Sequence, residues 1–379
     1  MMKRKYKYDT PIRIICALLF ATFSFLYIFL FQGELLALVQ DHLAQGQTSN
    51  NSFVTALLIT VLMMVIQYFL NRLGKLHGSF EALSYLPSCV LLAQITKVDS
   101  AYSYSFLQWI MVLVVVSILY VFIMWVSRNT FQPRDAKLLH QLIPNLGVMA
   151  VLFVFTGWYG NNTPAEHIEL SAWKYSHTEN YDKVLEVGKN SDDCNADLTA
   201  LRNLALAKTG QLGTKLFAYP QPYGSAGLMM NRYNVQTPSY GAKEFYALLG
   251  AFPYGGEQAA AFYKRVMQQK DDVEYANLYA AALLLDKNLS DFVAYTTTGK
   301  ANGTEPLADA PVHYQEAWMI YNEQHPFAPV VFVPDSAVAQ RYQEYLALRE
   351  EYADDPIVMS NLCKRGFGDT YWYYYDFVN

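Results

Sequence analysis

The pair of residues most suggestive of chemistry is His313 and Glu316, three apart in the run Val312 to Gln324. On a helix that spacing sets an imidazole and a carboxylate on one face, where they can share a proton or begin a metal site. No third ligand stands at a spacing that completes such a site, so the pair is expected on a solvated helix face. Gly224-Ser225-Ala226-Gly227 has the composition of a nucleophile turn without its GxSxG spacing. The preceding Tyr219 to Tyr223 (YPQPY) marks it as connector. HExxH, P-loop and dinucleotide patterns do not occur. Cys16, Cys89, Cys194 and Cys363 form neither CxxC nor Cys/His pairs. No catalytic residue, metal ligand or cofactor site is therefore assigned, and no enzymatic activity is expected. Cys16 and Cys89 lie in apolar runs, where a thiol packs as a small hydrophobe. A Cys194–Cys363 disulfide is left open and requires an oxidising compartment.

The C-terminal run Tyr371-Trp372-Tyr373-Tyr374-Tyr375 is rich in rings with polar handles. Such rings stack on sugars, lie at a lipid interface, or fold back to shield the open end of a helical stack. The last use, as a cap by Tyr371, Trp372 and Tyr373, is the expectation here.

These residues are carried by two halves of different composition. Met1 to Trp158 holds 11 Lys and Arg against 6 Asp and Glu, while the remainder holds 17 against 27. The acidic half has nothing to attract a phosphate backbone, which excludes nucleic acid as a partner. In the apolar half, runs of about 20 residues meet the length that crosses a hydrocarbon core. Five spans are expected, at about 12–31, 53–70, 80–95, 106–126 and 142–158, the third carrying Pro87 and the fifth Pro144. The first is read as a retained span and not as a cleaved leader, since more spans follow it.

Lys3, Arg4, Lys5, Lys7 and Arg13 flank the first span, Arg72 and Lys75 the second and third, and Arg128, Arg134 and Lys137 the fourth and fifth. The opposite loops hold Lys97 alone. Basic residues in short loops stay cytoplasmic, so the N-terminus is expected inside and residues 161–379 outside, in the periplasm of a two-membrane cell. Gln67 and Gln94 are the most polar interior residues of the spans, and interhelical hydrogen bonds are their expected use.

Residues 161–379 read as helices. Thr163-Pro164-Ala165-Glu166 is a helix start, with a capping hydroxyl and proline at the first helical position. Paired helices are expected at 164–177 with 181–187, 200–207 with 212–218, and 275–285 with 289–295. Single helices are expected at 241–249, 258–269, 312–324 and 336–353, the last capped by Asp335 or Ser336. Phe327 to Val333, between Pro326 and Pro334, suits an extended strip.

Ala172, Tyr175 and Tyr181-Asp182 fall where the tetratricopeptide repeat has a small residue, a tyrosine and a turn-closing Tyr-Asp pair, and Gly210 where it has its turn glycine. The second half thus resembles a degenerate array of such hairpins. Its steps of 31 and 77 residues, from Tyr181 to Leu212 and on to Leu289, depart from the regular repeat. Asn203 to Gln211 (NLALAKTGQ), Leu283 to Phe292 (LLLDKNLSDF), Tyr314 to Ala317 (YQEA) and Phe367 to Tyr375 (FGDTYWYYY) extend the likeness over the whole chain. It resembles uncharacterised multi-span bacterial inner-membrane proteins with a tetratricopeptide-like tail. That resemblance implies an all-α chain at the cytoplasmic membrane and no particular activity.

The function expected from these readings is a bilayer-anchored scaffold that binds another envelope protein on a concave surface. Tyr175, Arg202, Asn203 and Tyr279, on first helices of hairpins, are the expected surface residues. A glycan- or lipid-processing enzyme with a site near Trp158, Tyr159 and His167, and a transporter subunit using Gln67 or Gln94, are the rivals.

Overall fold

The computed structural model describes residues 8–44, 51–97, 106–130, 137–160, 164–189, 191, 194–230, 241–270, 272–297, 310–326 and 333–378. Among them the fold is all-α, with 18 α-helices and no strand. Thr163 and most of the 327–333 strip lie outside the described residues. The chain divides into two compact units, one built on Met1–Leu170 and the other on Ser171–Tyr233 with Tyr240–Asn379.

In the first unit, four helices are long and apolar enough to cross a membrane: Asp9–Phe31, Ser52–Gly74, Leu107–Asn129 and Leu138–Tyr159. Their outward side chains, such as Leu18, Leu58, Ile118 and Val154, are exposed hydrocarbon suited to contact with lipid. Among the described residues the expected third span, about 80–95, is not one of these four. The expected third span is a 3-10 segment, Gly78–Tyr85, followed by a ten-residue α-helix, Leu86–Ile95. Pro87 is the physical reason, because its ring would clash with the Leu83 carbonyl if α-helix continued through it.

This composite segment nonetheless runs the depth of the unit. At its start, Gly78 N–H donates to Asp9 Oδ1 at 3.2 Å, beside the first turn of the Asp9–Phe31 helix. Just past its end, the Thr96 hydroxyl lies 3.1 Å from that of Tyr27, near the far end of the same helix. Tyr27 also donates to the Thr156 carbonyl at 3.4 Å. Eight residues at about 2.0 Å and ten at about 1.5 Å span about 31 Å, close to the thickness of a hydrocarbon core.

Backbone groups that an α-helix would pair must find other partners in such a segment. Asn145, next to Pro144 in Leu138–Tyr159, supplies two: its Oδ1 accepts from Ala82 N–H at 2.7 Å and its Nδ2 donates to the Gly78 carbonyl at 2.8 Å. Gln67 donates to Ser84 Oγ at 2.8 Å, and Ser88 Oγ to the Met63 carbonyl at 3.0 Å. Ile12, Cys16, Phe20, Met63, Tyr85 and Cys89 close around these contacts.

The second half of the chain repeats one turn. In the helix pairs Pro164–His177 with Tyr181–Glu186, Ala196–Lys208 with Leu212–Lys215, and Val273–Leu285 with Leu289–Thr297, the first helix ends in a left-handed residue. These residues are Glu179, Gly210 and Lys287, at φ 53°, 69° and 55°. The next N–H in each pair reaches back five residues: Asn180 to Tyr175 O at 2.9 Å, Gln211 to Leu206 O at 2.8 Å, and Asn288 to Leu283 O at 2.9 Å. This is the Schellman termination, which satisfies the last carbonyls of a helix while reversing the chain. Trp173, Trp318 and Trp372 are wholly buried in the second unit, and aromatic burial of that kind dominates core energetics.

Candidate functional site

Three of the four residues expected to line a concave surface, Arg202, Asn203 and Tyr279, are built into the interior instead. Arg202 is 1 % exposed, donates to the Val187 and Gly188 carbonyls at 3.2 and 2.9 Å, and stacks over Tyr219. Burial lowers its pKa from the ordinary guanidinium value. Asn203 and Gln221 exchange amide hydrogen bonds at 3.1 and 2.9 Å, and Asn203 also donates to the Gly227 carbonyl at 3.0 Å. That last bond fixes the 224–228 segment, a 3-10 turn that serves as connector. Tyr279 is buried against Tyr295, while Tyr175 is half-buried beneath Lys183. The helices Ala196–Lys208 and Val273–Leu285 are packed on nearly all sides, so a first-helix position does not imply a free face.

His313 and Glu316 require the same correction. They are 2 % and 1 % exposed and joined by a 2.8 Å hydrogen bond between Nδ1 and Oε2. Glu316 also accepts from Tyr371 N–H at 2.8 Å, and its carbonyl accepts from Trp372 Nε1 at 3.2 Å. Phe217 stands edge-on to the imidazole with ring centroids 4.8 Å apart. A carboxylate-oriented histidine is the arrangement of a general base, but closed in by rings it acts here as an anchor for the C-terminal aromatic run. Tyr371 and Trp372 are buried and Tyr373 is half-buried, on the helix Tyr371–Phe377, and the Tyr374 hydroxyl donates to the Leu285 carbonyl at 2.7 Å. Cys194 and Cys363 are free thiols, Cys363 being buried.

A ligand-sized cavity lies in the first unit, and among its lining residues are Arg13, Arg72 and Lys75, which the sequence offered as markers of orientation. Arg13 comes from the second turn of Asp9–Phe31, and Asn71 and Arg72 from the last turn of Ser52–Gly74. Lys75 ends that helix at φ 53°, with its N–H bonded to Asn71 O at 2.7 Å. His77 and Glu81 follow around the 3-10 segment. The cavity encloses about 540 Å³, within the range of small-molecule sites.

Its charges are unequally matched. Glu81 is 2 % exposed, with Arg13 Nε 3.2 Å away and the Asn71 amide donating to it. Arg13 also reaches His77 Nδ1 at 3.1 Å, and that nitrogen lies 3.3 Å from Asp9 Oδ2. Both carboxylates are thus engaged by groups fixed in the fold. Arg72 and Lys75 are exposed and have no carboxylate partner among the described residues. Two cations without a described carboxylate thus stand on the cavity at a helix end, a charge pattern that favours an anion. Sequence reading missed it because Arg13 and Glu81 are 68 positions apart. The available signal was an acid at the head of one apolar run and an arginine at the head of another.

Residues 12–253 and 257–378 match a family model described as a family of unknown function (DUF6057). No curated protein and no solved structure gives a significant match to the chain.

Proposed function

The chain belongs to this family of unknown function, DUF6057, and from that premise we propose that it is a membrane-embedded binding protein. Its span bundle recognises an anionic group at the cytoplasmic face, and its second half is a tetratricopeptide-like hairpin array on the other side that engages another envelope protein. The observation that carries the proposal is the cavity of about 540 Å³ on which Arg72 and Lys75 stand without a carboxylate among the described residues. Binding is the reading drawn from the site because the groups left without a described carboxylate, Arg72 and Lys75, are cations suited to hold an anion.

The sidedness rests on the composite Gly78–Ile95 segment as a fifth crossing. Its polar contacts reach both ends of the Asp9–Phe31 helix, and five crossings with the basic loops inside put the second half outside. The recurring Schellman turns at Glu179, Gly210 and Lys287 support the hairpin array.

The test is the phosphorus content of the full-length protein after extraction in a mild nonionic detergent and removal of free lipid. The wild type is expected to retain about one phosphorus-bearing or other anionic molecule per chain. An Arg72→Gln, Lys75→Gln variant whose thermal midpoint matches that of the delipidated wild type is expected to retain less than a third of that. Equal content in both proteins would remove the site from consideration.

A further inference from the structure

The anion site is open toward the bilayer, and this bears on what fills it. Met64, Gln67, Tyr68, Asn71, Arg72 and Lys75 recur at three- and four-residue spacing, so they form one stripe of the Ser52–Gly74 helix. Arg13 and Ala17 form the facing stripe of the Asp9–Phe31 helix, four residues apart. The cavity is therefore the upper end of a groove between two apolar spans, cationic at the helix ends and apolar one to two turns deeper. Its rim includes the aromatic ring of Tyr68, which is 58 % exposed. A freely soluble anion gains nothing from Ala17, Met64 and this rim. An anion carrying an acyl chain can place its charge on Arg72 and Lys75 and its chain along the groove.

We infer that the occupant is an anionic phospholipid, its phosphate held by Arg72 and Lys75 and one acyl chain lying in the groove past Ala17 and Met64; this rests on the anion-recognition reading above. The small side chain of Ala17 leaves the groove its width. Asn71 Oδ1 is buried and without a partner among the described residues, and a hydroxyl on the headgroup would supply the donor it lacks. Basic pockets between spans at the cytoplasmic end of a bundle are where headgroup phosphates bind, at a depth set by the bilayer itself.

The experiment measures thermal unfolding of the detergent-purified, delipidated full-length protein against four probes: phosphatidylglycerol, phosphatidylcholine with the same chains, glycerol 3-phosphate and inorganic phosphate. A ligand that binds only the folded state raises the midpoint by mass action. Phosphatidylglycerol is expected to act at concentrations at least tenfold lower than glycerol 3-phosphate, and phosphatidylcholine to leave the midpoint within 1 °C, roughly the response of a protein without bound ligand. Ala17→Leu, which fills the groove, is expected to weaken the phosphatidylglycerol effect at least fivefold and spare that of glycerol 3-phosphate. Arg72→Gln with Lys75→Gln is expected to abolish both. If glycerol 3-phosphate or phosphate acts as well as the lipid, or Ala17→Leu leaves the lipid effect unchanged, the lipid assignment is overturned and the anion site stands. If none of the anions shifts the midpoint more than phosphatidylcholine does, the anion-recognition reading falls with it.

Discussion

At the scale of single residues, the informative groups are those whose environment opposes their intrinsic preference. Lys75 is a β-carbon-bearing residue held in the left-handed region, a conformation that costs about 1 kcal/mol relative to glycine. Strain of this kind persists where the surrounding structure imposes it, often at functional sites. Lys75→Gly is therefore expected to raise the stability of the ligand-free protein by about 1 kcal/mol while weakening anion retention. Opposite signs in unfolding and binding would separate a working cation from a structural one, and loss of stability in that variant would contradict the strain argument. Little of this was legible in advance. Arg72 and Lys75 were visible as basic loop residues, but their pairing state depends on where Glu81 and Asp9 find partners. His313 and Glu316 were legible as a pair and misread in environment. Their helix carries polar residues on several faces, and only the surrounding helices and the aromatic run determine that His313, Gln315 and Glu316 are enclosed.

At the scale of elements, local chemistry decided what could be read. The helix pairs of the second half announce themselves by short breaks ending in Asn or Gln, and expected helices such as 312–324 agree with Val312–Gln324. Asp335 does cap Ser336–Glu351, its Oδ1 accepting from Ala337 N–H at 2.9 Å. The helices Pro356–Phe367 and Tyr371–Phe377 were not foreseen. A run such as YWYYY has no apolar–polar period, so its helicity comes from the Thr370 cap and from packing. The Gly78–Ile95 segment was legible as apolar but not as a 3-10 and α composite, because Asn145, 63 residues from the Ala82 it serves, stabilises the irregular half.

If the three hairpin turns are equivalent, substitutions at their left-handed positions should act in a matched way. Gly210→Ala is expected to cost about 1 kcal/mol, and Glu179→Gly, at the same place in the first turn, to gain up to about 1 kcal/mol. Chemical denaturation of the full-length protein, or hydrogen exchange at Gln211 and Asn180, would register the two signs. Changes of the same sign at both positions would show that the turns are alike in form but not in energetics.

At the scale of the whole molecule, the chain combines a bundle whose exposed surface is hydrocarbon with a helical unit whose polar groups are largely satisfied within it. In the bundle, backbone groups of the 3-10 segment at Gly78 and Ala82 are met by Asp9 and Asn145 side chains of other segments, as low-dielectric surroundings require. Its basic end then stands out as the place where charge is left over. On the proposed topology Lys75 and Lys137 share the cytoplasmic side, one lining the cavity and the other exposed away from it.

The most direct test of the anion site is the reactivity of these two amines toward a membrane-impermeant amine reagent in inverted membrane vesicles, read by mass spectrometry. Lys137 is expected to react at once, and Lys75 at least tenfold more slowly until the bound anion is extracted, after which the rates should converge within about threefold. Equal reactivity of Lys75 and Lys137 before extraction would contradict an occupied anion site, and reaction of both amines only in right-side-out vesicles would contradict the sidedness.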